Sequence, residues 1–214
     1  MNMLNVALFQ WLTAGSHPTP WVLSVASDFA LWGSWLSAGV VALALWRQPD
    51  DRAWLFVVAA AAGLTSLLAH SIAMSLDVPR PFVLGLAPAY IAHAGRGSLP
   101  STHASVMFMV ALAFALRPSL RWLCAPLLVL AAVTGWARVY VGVHFPLDIV
   151  AGLLLGGLVA GALRCAQWLA HRFLSFPTSQ AGRTRDMGNA ATAVTTRTST
   201  PTSTPIPTPP RRHP

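Results

Sequence analysis

Lysine and glutamate are absent from this chain: its 14 basic residues are all arginine and its six acidic residues all aspartate. Charged residues make up 9% of the 214, against about 25% in an average soluble domain, which excludes an ordinary soluble globule. The two cysteines, Cys124 and Cys165, lie in separate apolar segments with no CxxC and no histidine at ligand spacing. They read as small buried apolar side chains and exclude a zinc or dithiol centre. No HExxH and no carboxylate cluster is present, so no metal and no cofactor is expected. No basic stretch precedes the first apolar segment and no small-residue cleavage site follows it, so no removable signal peptide is expected. The net charge of +8 comes from arginines that form no dense stripe beside exposed aromatics, which argues against a nucleic-acid partner.

What is present is apolar. Hydrophobic residues are 55% of the chain and the mean hydropathy is +0.57. Segments 22–46, 53–76, 120–141 and 147–170 approach or exceed the roughly 20 apolar residues that a membrane-spanning helix needs, and 102–117 is a shorter fifth. Ahead of them Met3, Leu4, Ala7, Leu8, Trp11 and Leu12 recur at helical spacing in a stretch too short to span, as in a helix lying in the membrane interface. The expected fold is therefore all-α, an integral membrane bundle of about five transmembrane helices plus a short N-terminal interfacial helix. Residues 78–100 carry Pro79, Pro81, Gly85, Pro88, Gly95, Gly97 and Pro100 and read as a loop. After Phe176 the composition turns to Thr, Ser, Pro and Arg, which cannot bury enough apolar surface to fold. Residues 1–176 are thus expected to form the membrane domain and 177–214 a disordered tail.

Arginine placement orients the bundle, because cytoplasmic loops are enriched in positive charge. Arg47 and Arg52 flank the first turn, Arg117 and Arg121 the third connection, and Arg164, Arg172, Arg183 and Arg185 follow from the last span onward. Those connections fall on one side, the cytoplasm. The long loop and the turn between Arg138 and Pro146 then face outward.

Three polar clusters fall on that outward face: Arg80 between Pro79 and Pro81, Pro100 to His103 opening the third span, and Arg138 with His144 and Asp148 between the fourth and fifth. An ionisable group near the bilayer centre costs at least ~2.5 kcal/mol, so such groups are candidates for function. Arg80 and Arg138 present planar forks suited to phosphate oxygens. The run Pro100, Ser101, Thr102, His103 begins a helix, where free backbone N–H groups favour an anion, and the Ser101 hydroxyl adds a donor. Asp148, in the first turn after Pro146, can hold one ring nitrogen of His144 and leave the other free to attack. Two histidines beside two arginines suit phosphoryl transfer in which one histidine attacks phosphorus and the other protonates the departing oxygen.

These motifs resemble those of the type-2 phosphatidic acid phosphatases (PAP2 superfamily), which read Lys-x6-Arg-Pro, Pro-Ser-Gly-His and Ser-Arg-x5-His-x3-Asp. Here the third appears as Ala137-Arg138, His144 and Asp148, the second as Pro100-Ser101-Thr102-His103, and the first keeps Arg80-Pro81 with Ala73 at the lysine position. The resemblance implies a phosphohistidine mechanism with His144 as nucleophile, Asp148 as its partner and His103 as acid. It implies phosphate ligands among Arg80, Arg138, Ser101 and Thr102, and Arg96 stands as a candidate replacement for the missing lysine. The short segment Leu4 to Phe9 and the pair Pro20-Trp21 are similar to the bacitracin-resistance type of undecaprenyl-diphosphate phosphatase. That branch implies hydrolysis of undecaprenyl diphosphate at the outer face of the bacterial inner membrane, with a membrane lipid as partner. Phosphatidylglycerophosphate or phosphatidate hydrolysis, phosphate transfer to another acceptor, and an inactive scaffold are the alternatives.

Overall fold

The computed structural model describes residues 3–174, all of its regular structure helical. Helix α1 is Met3–Leu12, α2 Pro20–Arg47, α3 Arg52–Leu76, α4 Thr102–Ala115, α5 Cys124–Tyr140 and α6 Pro146–Leu174. Short 3₁₀ turns, Pro49–Asp51 and Arg121–Leu123, lead into α3 and α5. The first compact unit ends at Leu169, and of the second only the final residues of α6 are described. The expected tail, 177–214, and the domain boundary at 176 lie outside the described residues.

Among the described residues, four helical stretches are long and apolar enough to cross a membrane: Pro20–Arg47, Pro49–Leu76, Arg121–Tyr140 and Pro146–Phe173. The protein is a multi-pass membrane protein. Proline opens α2 and α6, at the first helical position, where its missing N–H costs no hydrogen bond. Helix α4 has 14 residues, about 21 Å at 1.5 Å per residue, short of the ~30 Å hydrocarbon layer. It is the most buried helix of the set, packed on α3 and α5. Because it is clad in protein, the non-helical chain leading to its N-terminus can lie within the bilayer's depth without exposing backbone to lipid.

Small residues let the helices approach. A Cβ on Gly33 of α2 would lie 2.1 Å from the Thr134 hydroxyl on α5, and one on Gly156 of α6 would lie 2.5 Å from the Ser105 carbonyl on α4. Such contacts supply the close packing that stands in for a hydrophobic driving force between helices in lipid. The core near α3, α4 and α5 gathers Leu55, Val58, Met109, Phe114, Leu120 and Leu127. The cysteines depart from expectation: Cys165 is exposed and Cys124 half-buried. Both sit on helices long and apolar enough to cross a membrane.

Helix α1 docks by a different face from the one expected to seek the membrane. Phe9 is buried edge-on against Phe145 at 5.3 Å, and the side-chain oxygen of Asn5 accepts the Leu147 N–H at 3.1 Å, capping the start of α6. Met3, Leu4 and Trp11 remain exposed, so the predicted apolar face points away from the bundle.

Candidate active site

The loop joining α3 to α4 is built to deliver Arg80. The Ser98 N–H donates to the Val78 carbonyl and the Arg80 N–H to the Gly95 carbonyl, both at 3.1 Å, so 78–80 and 95–98 run clasped together. Gly97 takes a left-handed conformation, φ 69°, that favours glycine. Its carbonyl accepts from Arg80 Nη2 at 3.1 Å.

The turn between α5 and α6 delivers Arg138 and His144. The Arg138 carbonyl accepts from the Val143 and His144 N–H groups at 3.1 and 3.3 Å. Gly142 turns the chain at φ 82°, and a Cβ there would stand 2.3 Å from the Pro88 carbonyl oxygen. Proline at position 146 then starts α6, which places Asp148 in its first turn.

Arg80, Arg138, His144 and Asp148 are each 5% exposed or less, a concentration of ionisable groups that only mutual pairing or a ligand can sustain. Asp148 Oδ2 meets His144 Nδ1 at 3.2 Å, accepts the Phe145 N–H at 2.8 Å and accepts the Ser98 hydroxyl. A carboxylate accepts, so Nδ1 carries the proton and Nε2 the lone pair. Arg80 Nη1 suits that tautomer: it lies closer to His144 Nε2, at 3.0 Å, than to Nδ1, at 3.4 Å, and donates to the Val143 carbonyl at 2.8 Å. Burial first, then Arg138 and Arg80, hold His144 well below its ordinary pKa and keep the imidazole neutral. The contact with Asp148 is thus a hydrogen bond that orients a neutral ring. Burial and then the charge of Asp148 act in opposite senses on Arg80, with burial prevailing and lowering it.

Arg138 reaches across the bundle. Its Nη1 donates to the Ala30 carbonyl of α2 at 3.0 Å and its Nη2 to His93 Nε2 at 2.7 Å. His93 stands edge-on to His144, ring centres 5.9 Å apart. Burial, then Arg80 and Arg138, lower its pKa to about 4, in keeping with an acceptor nitrogen facing a guanidinium.

Arg80, Arg138, His103 and His144 line one cavity of about 190 Å³, together with Thr102, Arg96, His93, His70 and Ala73. Six of the eight expected site residues line it, and Asp148 and Ser101 do not. Asp148 lies behind His144, hydrogen-bonded to it, and Ser101 lies fully buried behind the wall that Pro100 and Thr102 form. The Ser101 hydroxyl does not cap α4 and has no partner, as is also true of the buried Nε atoms of Arg80 and Arg138. Unmet buried donors cost about 1–3 kcal/mol each, and this corner of the molecule holds three. Arg96 is exposed at the rim, ion-paired with Asp77. Among the described residues no group of three His, Cys, Asp or Glu side chains is placed to hold a metal ion.

Two contributors escaped the sequence reading. Ser98 carries no motif signal, and only the clasp of the loop brings it to Asp148. His93 reads in sequence as one more loop histidine, yet it is the partner of Arg138.

Chemically, the cavity offers a neutral imidazole with an oriented proton, a second histidine, two buried guanidiniums and the N-terminus of α4. That set suits in-line attack on a phosphoryl group.

Known proteins resemble this chain over most of its length. The family model described as the PAP2 superfamily matches residues 52–172. YbjG of Escherichia coli (strain K12), provisionally named an undecaprenyl-diphosphatase, is 35% identical over 77% of this chain and 81% of its own length. The undecaprenyl-diphosphatase BcrC of Bacillus subtilis (strain 168) is 26% identical over 73% of this chain and 80% of its own. Among solved structures, Aquifex aeolicus LpxE superposes with a TM-score of 0.65 at 23% identity, covering 75% of this chain and 94% of LpxE. A PAP2-type phosphatidylglycerolphosphate phosphatase from Bacillus subtilis gives 0.60 at 22%, covering 79% of this chain and 87% of that one. These two likenesses show the shared fold.

Proposed function

Since the chain belongs to the PAP2 superfamily, we propose that it is a membrane lipid phosphatase that hydrolyses undecaprenyl diphosphate to undecaprenyl phosphate through a phosphohistidine on His144. The observation that carries the mechanism is the contact of His144 Nδ1 with Asp148 Oδ2, which assigns the proton to Nδ1 and leaves Nε2, beside Arg80, free to attack. The substrate rests on the two relatives named for that activity.

In the first step the terminal phosphoryl group takes over the Arg80 and Arg138 donors, and His144 Nε2 attacks phosphorus. An N–P bond forms and the bridging P–O bond breaks. His103 gives its proton to the departing oxygen of the lipid monophosphate. In the second step water attacks phosphorus, a P–O bond forms and the N–P bond breaks with its electron pair returning to Nε2, His103 takes the water's proton, and inorganic phosphate leaves. Asp148 keeps the Nδ1 proton throughout and stabilises the charge that builds on the ring. Arg80, Arg138 and the α4 N-terminus at Thr102 stabilise the phosphoryl oxygens, and Arg96 adds a cation at the rim. His93 holds the Arg138 guanidinium in position.

The site faces the periplasm across the bacterial inner membrane. Support comes from the arginines: Arg47, Arg52, Arg117 and Arg121 mark the opposite end of the helices. The lipid tail then stays in the bilayer while the headgroup enters the cavity.

The test is phosphate release by the detergent-purified protein from undecaprenyl diphosphate and, in parallel, from phosphatidylglycerophosphate, both in EDTA and with His144→Ala. Rapid release from the polyprenyl lipid that is lost in the variant is expected. Preference for the glycerophospholipid would overturn the substrate, transfer of label to an added alcohol would mark a phosphotransferase, and no release from either would favour a scaffold.

A further inference from the structure

The cavity has two differently built halves. Its floor is Arg80, Arg138 and His144, all buried: Arg80 bonds His144 and backbone carbonyls, Arg138 bonds His93 and the Ala30 carbonyl, and the Nε atoms of both arginines lack a partner. Its rim, on the side of α3 and the start of α4, has one permanently charged side chain, Arg96. Arg96 Nη1 donates to Asp77 Oδ2, and no bond of its Nε or Nη2 is found among the described residues. Asp77 ends α3 in a left-handed conformation, φ 46°, with its N–H on the Ala73 carbonyl at 3.1 Å. On the other side of Arg96, Gly97 packs onto Ala73 and Met74. The end of α3 therefore holds the Arg96 guanidinium beside the cavity at a point where α3 offers no cation of its own, since Ala73 lines the wall there.

The side chain of Arg96 is 76% exposed. An ion pair so exposed contributes little to stability, and the guanidinium can move toward a second anion at small cost. The floor has room and donors for the phosphoryl group that reacts. A lipid diphosphate brings a second phosphate, bonded to the tail, which must sit on the rim side as the tail runs to the bilayer. A monoester has no anion at that place.

We propose, on the premise that this site hydrolyses a lipid phosphate, that Arg96 grips the tail-bearing phosphate of a diphosphate and so sets a preference for lipid diphosphates over phosphomonoesters, with Asp77 as its positioning residue. Binding there also assists departure, because the guanidinium neutralises the monophosphate that leaves.

The experiment compares kcat/KM for farnesyl diphosphate and for phosphatidate in detergent, using the full chain and the variants Arg96→Ala, Arg96→Lys and Asp77→Asn. Arg96→Ala is expected to lower the diphosphate value roughly 10- to 100-fold, the loss of one charge-assisted contact, and the phosphatidate value by much less. Arg96→Lys should restore most of the ratio, and Asp77→Asn should raise KM for the diphosphate with kcat little changed. Thermal unfolding of Arg96→Ala should match the wild type, as befits an exposed pair. Equal loss on both substrates, or a ratio unmoved by Arg96→Ala, would overturn the role of Arg96 while leaving the phosphatase reading intact. A wild type that cleaves phosphatidate and spares the diphosphate would overturn the substrate reading, and this inference with it.

Discussion

The two ends of the bundle each hold a cavity of similar size and each hold arginine, but they are built from different chemistry. At the Arg47 end the cavity is about 210 Å³ and is lined by Val40, Leu43, Ala44, Arg47, Gln48, Trp122 and Leu123, with no histidine and no carboxylate. Arg52 Nε donates to the Leu45 carbonyl at 3.0 Å, Asp51 accepts the Ser119 hydroxyl, and Arg117 stacks over Trp54 at 5.1 Å. At the other end a cavity of about 190 Å³ gathers four histidines and three arginines from α3, the long loop, α4, α5 and the turn before α6. The comparison separates space from function. Void volume, positive charge and unpartnered guanidinium Nε atoms occur at both ends, whereas an oriented neutral imidazole occurs at one.

The largest effect that would sharpen this contrast is at His103. Its replacement by alanine should lower kcat by roughly 10²- to 10⁴-fold, as for loss of a general acid. Asp51→Asn at the opposite end should stay within about twofold, in line with a substitution remote from the chemistry. Comparable losses from the two would erase the distinction between the ends. Next comes Ser98→Ala, which removes one donor from Asp148 and should cost about tenfold in kcat, the order of a hydrogen bond to a charged group. If the variant were as active as wild type, Asp148 would be held by His144 and the Phe145 N–H alone.

Gly142→Ala bears on folding more than chemistry. At φ 82°, with the Pro88 carbonyl oxygen 2.3 Å from the added methyl group, it should destabilise by about 1–3 kcal/mol or more. Gly161→Ala, with nothing within 4 Å of the new Cβ, should leave the melting temperature unchanged. Equal melting temperatures for both variants would show that the turn carrying His144 tolerates rebuilding.

The smallest effect is on pH dependence. His93 has a pKa of about 4 in the fold and about 6.5 when unfolded, so the unfolded chain binds the proton first. Its contribution to stability is full above about 6.5, declines as pH falls, and is exhausted near 4. His144 is lowered for the same leading cause, burial, and acts in the same direction. Melting temperature in detergent should therefore fall between pH 7 and pH 4.5, and His93→Gln should flatten part of that fall. A variant with the same slope as wild type would place the pH sensitivity elsewhere.

Much of this arrangement was legible in the sequence because it is written in local patterns. Apolar runs at 22–46, 53–76, 120–141 and 147–170 foretell α2, α3, α5 and α6 to within a few residues, since length and hydropathy dominate when the solvent is lipid. The spacing of Arg138, His144 and Asp148 is likewise local, one helix end, one glycine turn and one helix start. Long-range side-chain bonds leave no such trace. The Arg138 bond to the Ala30 carbonyl joins positions 108 apart, and the Asn5 cap on α6 joins positions 142 apart. Ser98 and His93 acquire their roles only because residues 78–80 clasp 95–98. Asp51 stands in a short polar turn with no local signal for burial, yet it is buried and bonded to Ser119, for the same reason.

The most direct measurement is a rapid-quench experiment with farnesyl diphosphate carrying ³²P in its terminal phosphate. The expected result is a transient label on the protein that survives base, is lost in acid as a phosphoramidate must be, maps to His144, and is missing from His144→Ala. Turnover with no labelled protein, or a label that persists in His144→Ala, would contradict His144 as the nucleophile.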